Sequence, residues 1–117
     1  MEPLGISDGR IKDSQLHASS AFDNDFNTFG PHRARLNISS WPQGYRSATD
    51  QLNSSWFKVE IGRIMVITGI ATQGYGDVSV NEWLTAYILL YSQGKEDYTF
   101  FRERNGNNAQ VRRVTFL

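Results

Sequence analysis

The chain has 117 residues, carries 12 basic and 12 acidic side chains, and contains no cysteine. Balanced charge excludes a purely electrostatic attachment to nucleic acid or to strongly anionic membranes. The missing cysteines exclude disulfides, zinc–thiolate sites and a thiol nucleophile. No apolar run approaches the roughly 18 residues of a membrane-spanning helix, and Met1-Glu2-Pro3 opens on domain-like sequence rather than on a signal peptide. The length suits one domain, residues 1–117.

In chain order, the first clear strand pattern is Trp56 to Ile61. Phe57, Val59 and Ile61 fall on one face and Trp56, Lys58 and Glu60 on the other. Met65 to Thr72 is almost continuously apolar, as expected of a central strand buried on both faces. Trp83 to Tyr91 is apolar at both parities, and its Tyr, Ile and Thr content favours a strand over a helix. Tyr98 to Arg102 and Val111 to Leu117 are two further candidate strands, with Gly94 and Asn105-Gly106-Asn107 as turns. No segment combines a cap with sustained 3.6-residue periodicity. Short strands punctuated by Gly, Asn, Asp and Ser predict an all-β sandwich.

Several ordered motifs then carry a resemblance. Pro3-Leu4-Gly5 is followed by Gln15-Leu16-His17-Ala18-Ser19-Ser20 and Ala34-Arg35-Leu36-Asn37, with Trp41 behind them. Ser54-Ser55-Trp56-Phe57-Lys58-Val59-Glu60-Ile61-Gly62 leads to Ile70-Ala71-Thr72-Gln73-Gly74, and Trp83-Leu84-Thr85-Ala86-Tyr87 to Tyr91-Ser92. Across residues 3 to 107 this order resembles the discoidin family, also called factor V/VIII type C domains. The resemblance implies an antiparallel jelly-roll β-sandwich with its loops clustered at one end. It also implies an extracellular binding module rather than an enzyme. Members usually join a cysteine ahead of the Pro-Leu-Gly element to one at the C-terminal end, where this chain has Met1-Glu2 and no cysteine. Asn105-Gly106-Asn107-Asn108 runs almost directly into Val111-Leu117. That tail reads as a shortened last strand or as a truncation. A missing strand leaves an open sheet edge through which copies can pair.

The resemblance locates three ligand-facing loops. The first is Ala21-Phe22-Asp23-Asn24-Asp25-Phe26-Asn27-Thr28-Phe29-Gly30, in which Phe22, Phe26 and Phe29 are the candidate apolar contacts. One of these rings is expected inside and one or two at the tip. Asp23, Asp25 and Thr28 match the spacing of a calcium loop found in the wider galactose-binding-like superfamily, while Asn24 and Phe29 depart from it. Hard oxygen donors on a tight loop suit calcium; the plain alternative is a polar turn closed by Asp side chains. The second loop, residues 40–46, offers Trp41, Tyr45 and Arg46. Core packing competes with surface display for Trp41. The third offers Tyr75, Asp77 and Val78. Aromatic rings provide platforms for a sugar face or a protein side chain, and an arginine fork pairs with carboxylate or phosphate.

Asn37-Ile38-Ser39 and Asn53-Ser54-Ser55 are glycosylation sequons at Asn37 and Asn53. His17 and His32 stand in no recognisable catalytic spacing, and no helix follows Gly74-Tyr75-Gly76 to make a nucleotide loop. The leading expectation is a cell-adhesion or cell-surface attachment module, on a secreted or membrane-anchored parent. Its ligand is a cell-surface or matrix protein, a glycan or a phospholipid head group, with structural calcium as the one candidate cofactor. The competing readings are a carbohydrate-binding appendage of a hydrolase and a non-functional fragment of a longer adhesion protein.

Overall fold

The computed structural model describes residues 3–51, 54–75, 77, 79, 82–94, 97–101 and 110–111. The chain divides into two compact units, Met1–Val66 with Tyr75–Val80, and Ile67–Gly74 with Asn81–Leu117.

The first unit is organised by strands β1 (Leu16–Ala18) and β2 (Phe57–Val59). They pair antiparallel in the register Leu16↔Val59, His17↔Lys58 and Ala18↔Phe57. Backbone bonds prolong the ladder at both ends, from Glu60 N–H to the Gln15 carbonyl at 2.8 Å and from Ser19 N–H to the Trp56 carbonyl at 3.0 Å. The Gln15 amide adds a 2.8 Å bond to the Glu60 carbonyl. Leu16, Ile11 and Ala21 are buried, as is Pro42, among the described residues. Buried Ser20 is paired at its carbonyl and its hydroxyl: the carbonyl accepts from the Tyr45 hydroxyl at 2.7 Å, and the hydroxyl accepts from Ala48 N–H at 3.0 Å. A buried polar group so paired avoids its desolvation cost.

In the second unit, β3 (Tyr87–Ile88) pairs with β6 (Gln110–Val111), and β4 (Leu90–Tyr91) with β5 (Thr99–Phe100), both antiparallel. Phe101 N–H extends the β4–β5 pair to the Leu89 carbonyl at 2.9 Å. The Ser92 hydroxyl bonds Gly94 at the turn behind β4. The expected single strand over Trp83–Tyr91 is thus two short ones with different partners. Period two survives across them: Tyr87 and Leu89 are half-buried, while Ile88 and Leu90 are exposed.

Met65 to Thr72 is the clear correction. No strand is present there, and Val66 is 87% exposed. An unbroken apolar run signals that a segment can be buried on both faces, but pairing requires neighbours on either side. Among the described residues no strand borders this one. The expected turn at 105–107 and the final strand beyond Val111 lie outside the described residues, as does any sheet edge formed there. No helix among the described residues is long and apolar enough to cross a membrane.

Candidate functional site

The first loop leaves β1 through Ala21 and bends sharply. Asp23 and Asn24 adopt φ of 54° and 56°, in the left-handed region. Asp and Asn tolerate that region better than other non-glycine residues, because short polar side chains bond locally. The bend leads to a one-turn helix, α1 (Phe26–Phe29), capped by Asp25, whose carboxylate accepts from Thr28 N–H at 3.0 Å.

This turn places the three Phe rings differently. Phe22 and Phe29 are half-buried and meet edge to face, with centroids 5.2 Å apart. Phe26 is 42% exposed and borders an open hollow of 290 Å³ with Asp13, Asn27, Pro31 and His32. The second loop is tied to the first by backbone bonds from Phe22 N–H to the Arg46 carbonyl and from Arg46 N–H to the Phe29 carbonyl. The Arg46 guanidinium consequently lies 3.8 Å from the Phe22 ring centroid. On the other side of Phe29, the Trp41 ring stands edge-on at 5.7 Å and is 67% exposed. The sequence left Trp41 between core and surface; it lies on the surface.

The outcome is a row in contact order: Arg46, Phe22, Phe29, Trp41. It presents one cation, two partly covered rings and one open indole. Edge-to-face ring pairs contribute about 0.5–1.5 kcal/mol beyond burial, and an exposed cation–π contact about 0.5–1 kcal/mol. The row is therefore partly ordered before any ligand arrives.

The remaining predicted residues divide between this row and support for it. Tyr45 is half-buried, its ring 5.8 Å from that of Phe57 and its hydroxyl bonded to Ser20. Burial raises its pKa, so it remains a neutral donor at physiological pH. Tyr45 thus anchors the second loop to the strand pair. Tyr75 sits beside that loop, where a Cβ on Gly44 would lie 3.5 Å from its ring. The Asp77 carboxylate accepts from the Ser79 hydroxyl at 2.7 Å and from Ser79 N–H at 2.9 Å, bonds that lower its pKa. It closes a local turn. Val78 and Asn53 lie outside the described residues. Asn37 is exposed in a turn with φ of 61°. His17 stands 3.3 Å from Glu60 at the strand pair, whereas His32 lines the hollow.

The Asp23–Thr28 loop shows what its carboxylates do. The Thr28 hydroxyl, and then its N–H, hold the Asp25 carboxyl below the ordinary value of 3.8. A carboxyl with a depressed folded-state pKa contributes stability above its unfolded value and loses it as pH falls through the folded one. Acidification below about pH 4 should therefore destabilise the wild type more than Asp25→Asn, which keeps a capping oxygen without the charge. Asp8 and Asp77 are depressed in the same direction and are common to both chains, so the difference between the two melting curves isolates Asp25. Equal acid sensitivity would remove the cap from the account. As a calcium site the loop offers the carboxylates of Asp23 and Asp25 and the hydroxyl of Thr28. No group of three or more His, Cys, Asp or Glu side chains placed to hold a metal occurs among the described residues. Calcium takes 6–8 oxygens, so backbone carbonyls and water would have to supply most of the sphere.

Sequence reasoning overlooked Arg33. Its Nε donates to the Pro42 carbonyl at 2.8 Å, and its Nη2 donates to the Ser40 carbonyl and, at 3.0 Å, to the Ser40 hydroxyl. The sequence carries no signal for this role, because the acceptors are mostly main-chain carbonyls that every residue type offers.

A strand pair carrying loops with outward rings and one cation defines a class: a small β-rich module that meets its surroundings through loop tips. The family model of the F5/8 type C domain matches residues 13–117. The chain belongs to that family, the discoidin domains. It is 33% identical to human EGF-like repeat and discoidin I-like domain-containing protein 3, over 94% of this chain and 23% of that protein. Against human coagulation factor VIII it is 32% identical, over 85% of this chain and 4% of that one. Against mouse lactadherin it is 31% identical, over 92% and 24%. The chain thus spans about a quarter or less of the length of these relatives. Family membership carries a β-sandwich architecture, consistent with the six short strands and one one-turn α-helix found, beside four 3-10 turns, among the described residues.

Proposed function

We propose that this chain is an extracellular attachment module, a jelly-roll sandwich that binds a cell-surface or matrix protein through the row Arg46, Phe22, Phe29 and Trp41. The observation that carries this reading is the row itself. An indole left 67% exposed at one end of an edge-to-face Phe pair, with a guanidinium over the other end, is the composition of a protein-binding hot spot, in which Trp and Arg are enriched. Balanced charge supports a protein ligand over an electrostatic lipid mode. Relatives that carry the region as a small fraction of their length support a module that serves a larger protein.

The test is capture of suspended animal cells by the immobilised domain. Capture abolished by trypsin treatment of the cells supports a protein partner. Capture abolished instead by soluble galactoside, or by competing phosphatidylserine vesicles, overturns it in favour of a glycan or a lipid. No capture under any condition overturns the attachment reading itself.

Calcium enters the proposal as a structural ion, with Asp23, Asp25 and Thr28 as the side chains that would hold it. An ion bound to the folded state alone, at a hundred times its Kd, adds about 2.7 kcal/mol of stability. Thermal melts in calcium and in EDTA should then separate by several degrees, and Asp23→Ala should close the gap. Superimposable melts would remove the ion and leave the binding row in place.

A further inference from the structure

Trp41 is the most exposed ring of the proposed row, and burial does little to hold it. Its one ring contact is the edge-on meeting with Phe29. Exposed side chains on loops sample rotamers in picoseconds to nanoseconds, and ordering such a side chain on binding costs affinity. Something other than packing has to fix this residue if it is to act as a prepared contact.

We infer that Arg33 is the positioning residue for Trp41. The Nε–Nη2 edge of its guanidinium bonds the carbonyls of Ser40 and Pro42, the two residues that flank Trp41. A third bond to the Ser40 hydroxyl closes the grip. The backbone on both sides of the indole is therefore pinned to one rigid planar group. That group is itself well placed. Arg33 ends the 3-10 turn Pro31–Arg33, whose N–H groups at Arg33 and Ala34 bond back to Gly30 and Pro31. The turn packs against β1. The indole is thereby connected to the strand pair through a short series of fixed elements.

The chemistry requires arginine. A guanidinium presents parallel donors in one plane, whereas a lysine ammonium is a point charge on a flexible stem and cannot span two carbonyls in the same way. All the side-chain bonds of Arg33 go to Ser40 and Pro42. Those of Arg35, two residues on, go to Ile6, Ile11, His32 and Asp13 and avoid the Trp41 loop. The two arginines therefore hold different segments, Arg33 the Trp41 loop and Arg35 the segments of Ile6, Ile11 and His32.

The inference rests on the proposed binding row, but its test need not. Trp56 and Trp83 are both half exposed, and replacing each with phenylalanine leaves Trp41 as the reporting indole. In that parent chain, Arg33→Lys should raise the amplitude of the fast component of Trp41 anisotropy decay about twofold, the sign of released nanosecond motion. The melting midpoint should fall less than in Arg35→Lys, because the two bonds to Ser40 are exposed and water can replace them. Arg35→Lys should lower the midpoint and leave the anisotropy alone. Ser40→Ala, which removes one of the three bonds, should give an intermediate anisotropy change and decides the matter if Arg33→Lys does not fold. Unchanged anisotropy in the folded variants, or an equal rise in Arg35→Lys, overturns the inference. Cell capture by the same proteins separates the two claims. If Trp41 is released but capture persists, the clamp stands and the binding row fails. If Trp41 stays ordered in Arg33→Lys, the clamp fails whatever the capture result.

Discussion

Arg35→Ala is expected to lower stability by about 3 kcal/mol, counting roughly 1 kcal/mol for each of three lost bonds to backbone carbonyls. Those carbonyls belong to Ile6, Ile11 and His32. The Arg35 side chain is only 13% exposed, so water can replace its guanidinium only poorly. Ile11 is one of the few buried apolar side chains, and the arginine ties its segment to the turn at Pro31–Arg33. The ion pair with Asp13 is a smaller matter. Asp13 is 71% exposed, and surface pairs are worth about 0–1 kcal/mol. Asp13→Ala should therefore leave the midpoint nearly unchanged, while Arg35→Ala lowers it by on the order of 10–20 °C for a domain of this size. Arg35→Lys should fall nearer to alanine than to wild type, because one ammonium cannot reach three carbonyls on different segments. Urea and thermal melts of the four proteins decide this. An Asp13→Ala loss equal to that of Arg35→Ala would mean that the charge pair, not the carbonyl bonds, carries the stability.

The contrast between Arg33 and Arg35 also shows where sequence reading ends. Ala34-Arg35-Leu36-Asn37 was legible as a family element, and the family match over residues 13–117 agrees with it. What Arg35 does was not legible, because its acceptors are main-chain oxygens up to 29 positions away and every residue type offers one. The strand at Trp56–Ile61 was legible by alternation, and β2 lies inside it. Its pairing with Leu16–Ala18 was not legible, since alternation names a strand but not its neighbour. Met65 to Thr72 shows the same gap from the other side. Its composition fits a central strand, yet without bordering strands among the described residues that composition gives an exposed run. In the first loop the spacing of Asp23, Asp25 and Thr28 pointed toward a metal. Local geometry shows a left-handed bend and a helix cap, which the same residue types also favour.

The largest expected effect on binding is that of Trp41→Ala. Truncating a central Trp in a protein interface typically costs 2 kcal/mol or more, or roughly 30-fold in affinity at 1.4 kcal/mol per decade. The same change should barely alter the melt, because the indole is largely in water already and gives up one edge contact with Phe29. Phe22→Ala should behave differently. It removes the ring under the Arg46 guanidinium and half of the Phe22–Phe29 pair, so it should weaken both stability and binding. Phe26→Ala tests the boundary of the surface. Phe26 is exposed, takes part in none of the ring pairs of the row, and borders the hollow shared with His32. If the row alone forms the surface, Phe26→Ala retains capture of cells while Trp41→Ala loses it. Loss in Phe26→Ala with retention in Trp41→Ala would move the binding surface to the tip of the first loop. Equal loss in both would join the two loops in one broader surface. Full retention in Trp41→Ala, with its fold intact, would remove the indole from the binding account and the purpose of the Arg33 clamp with it.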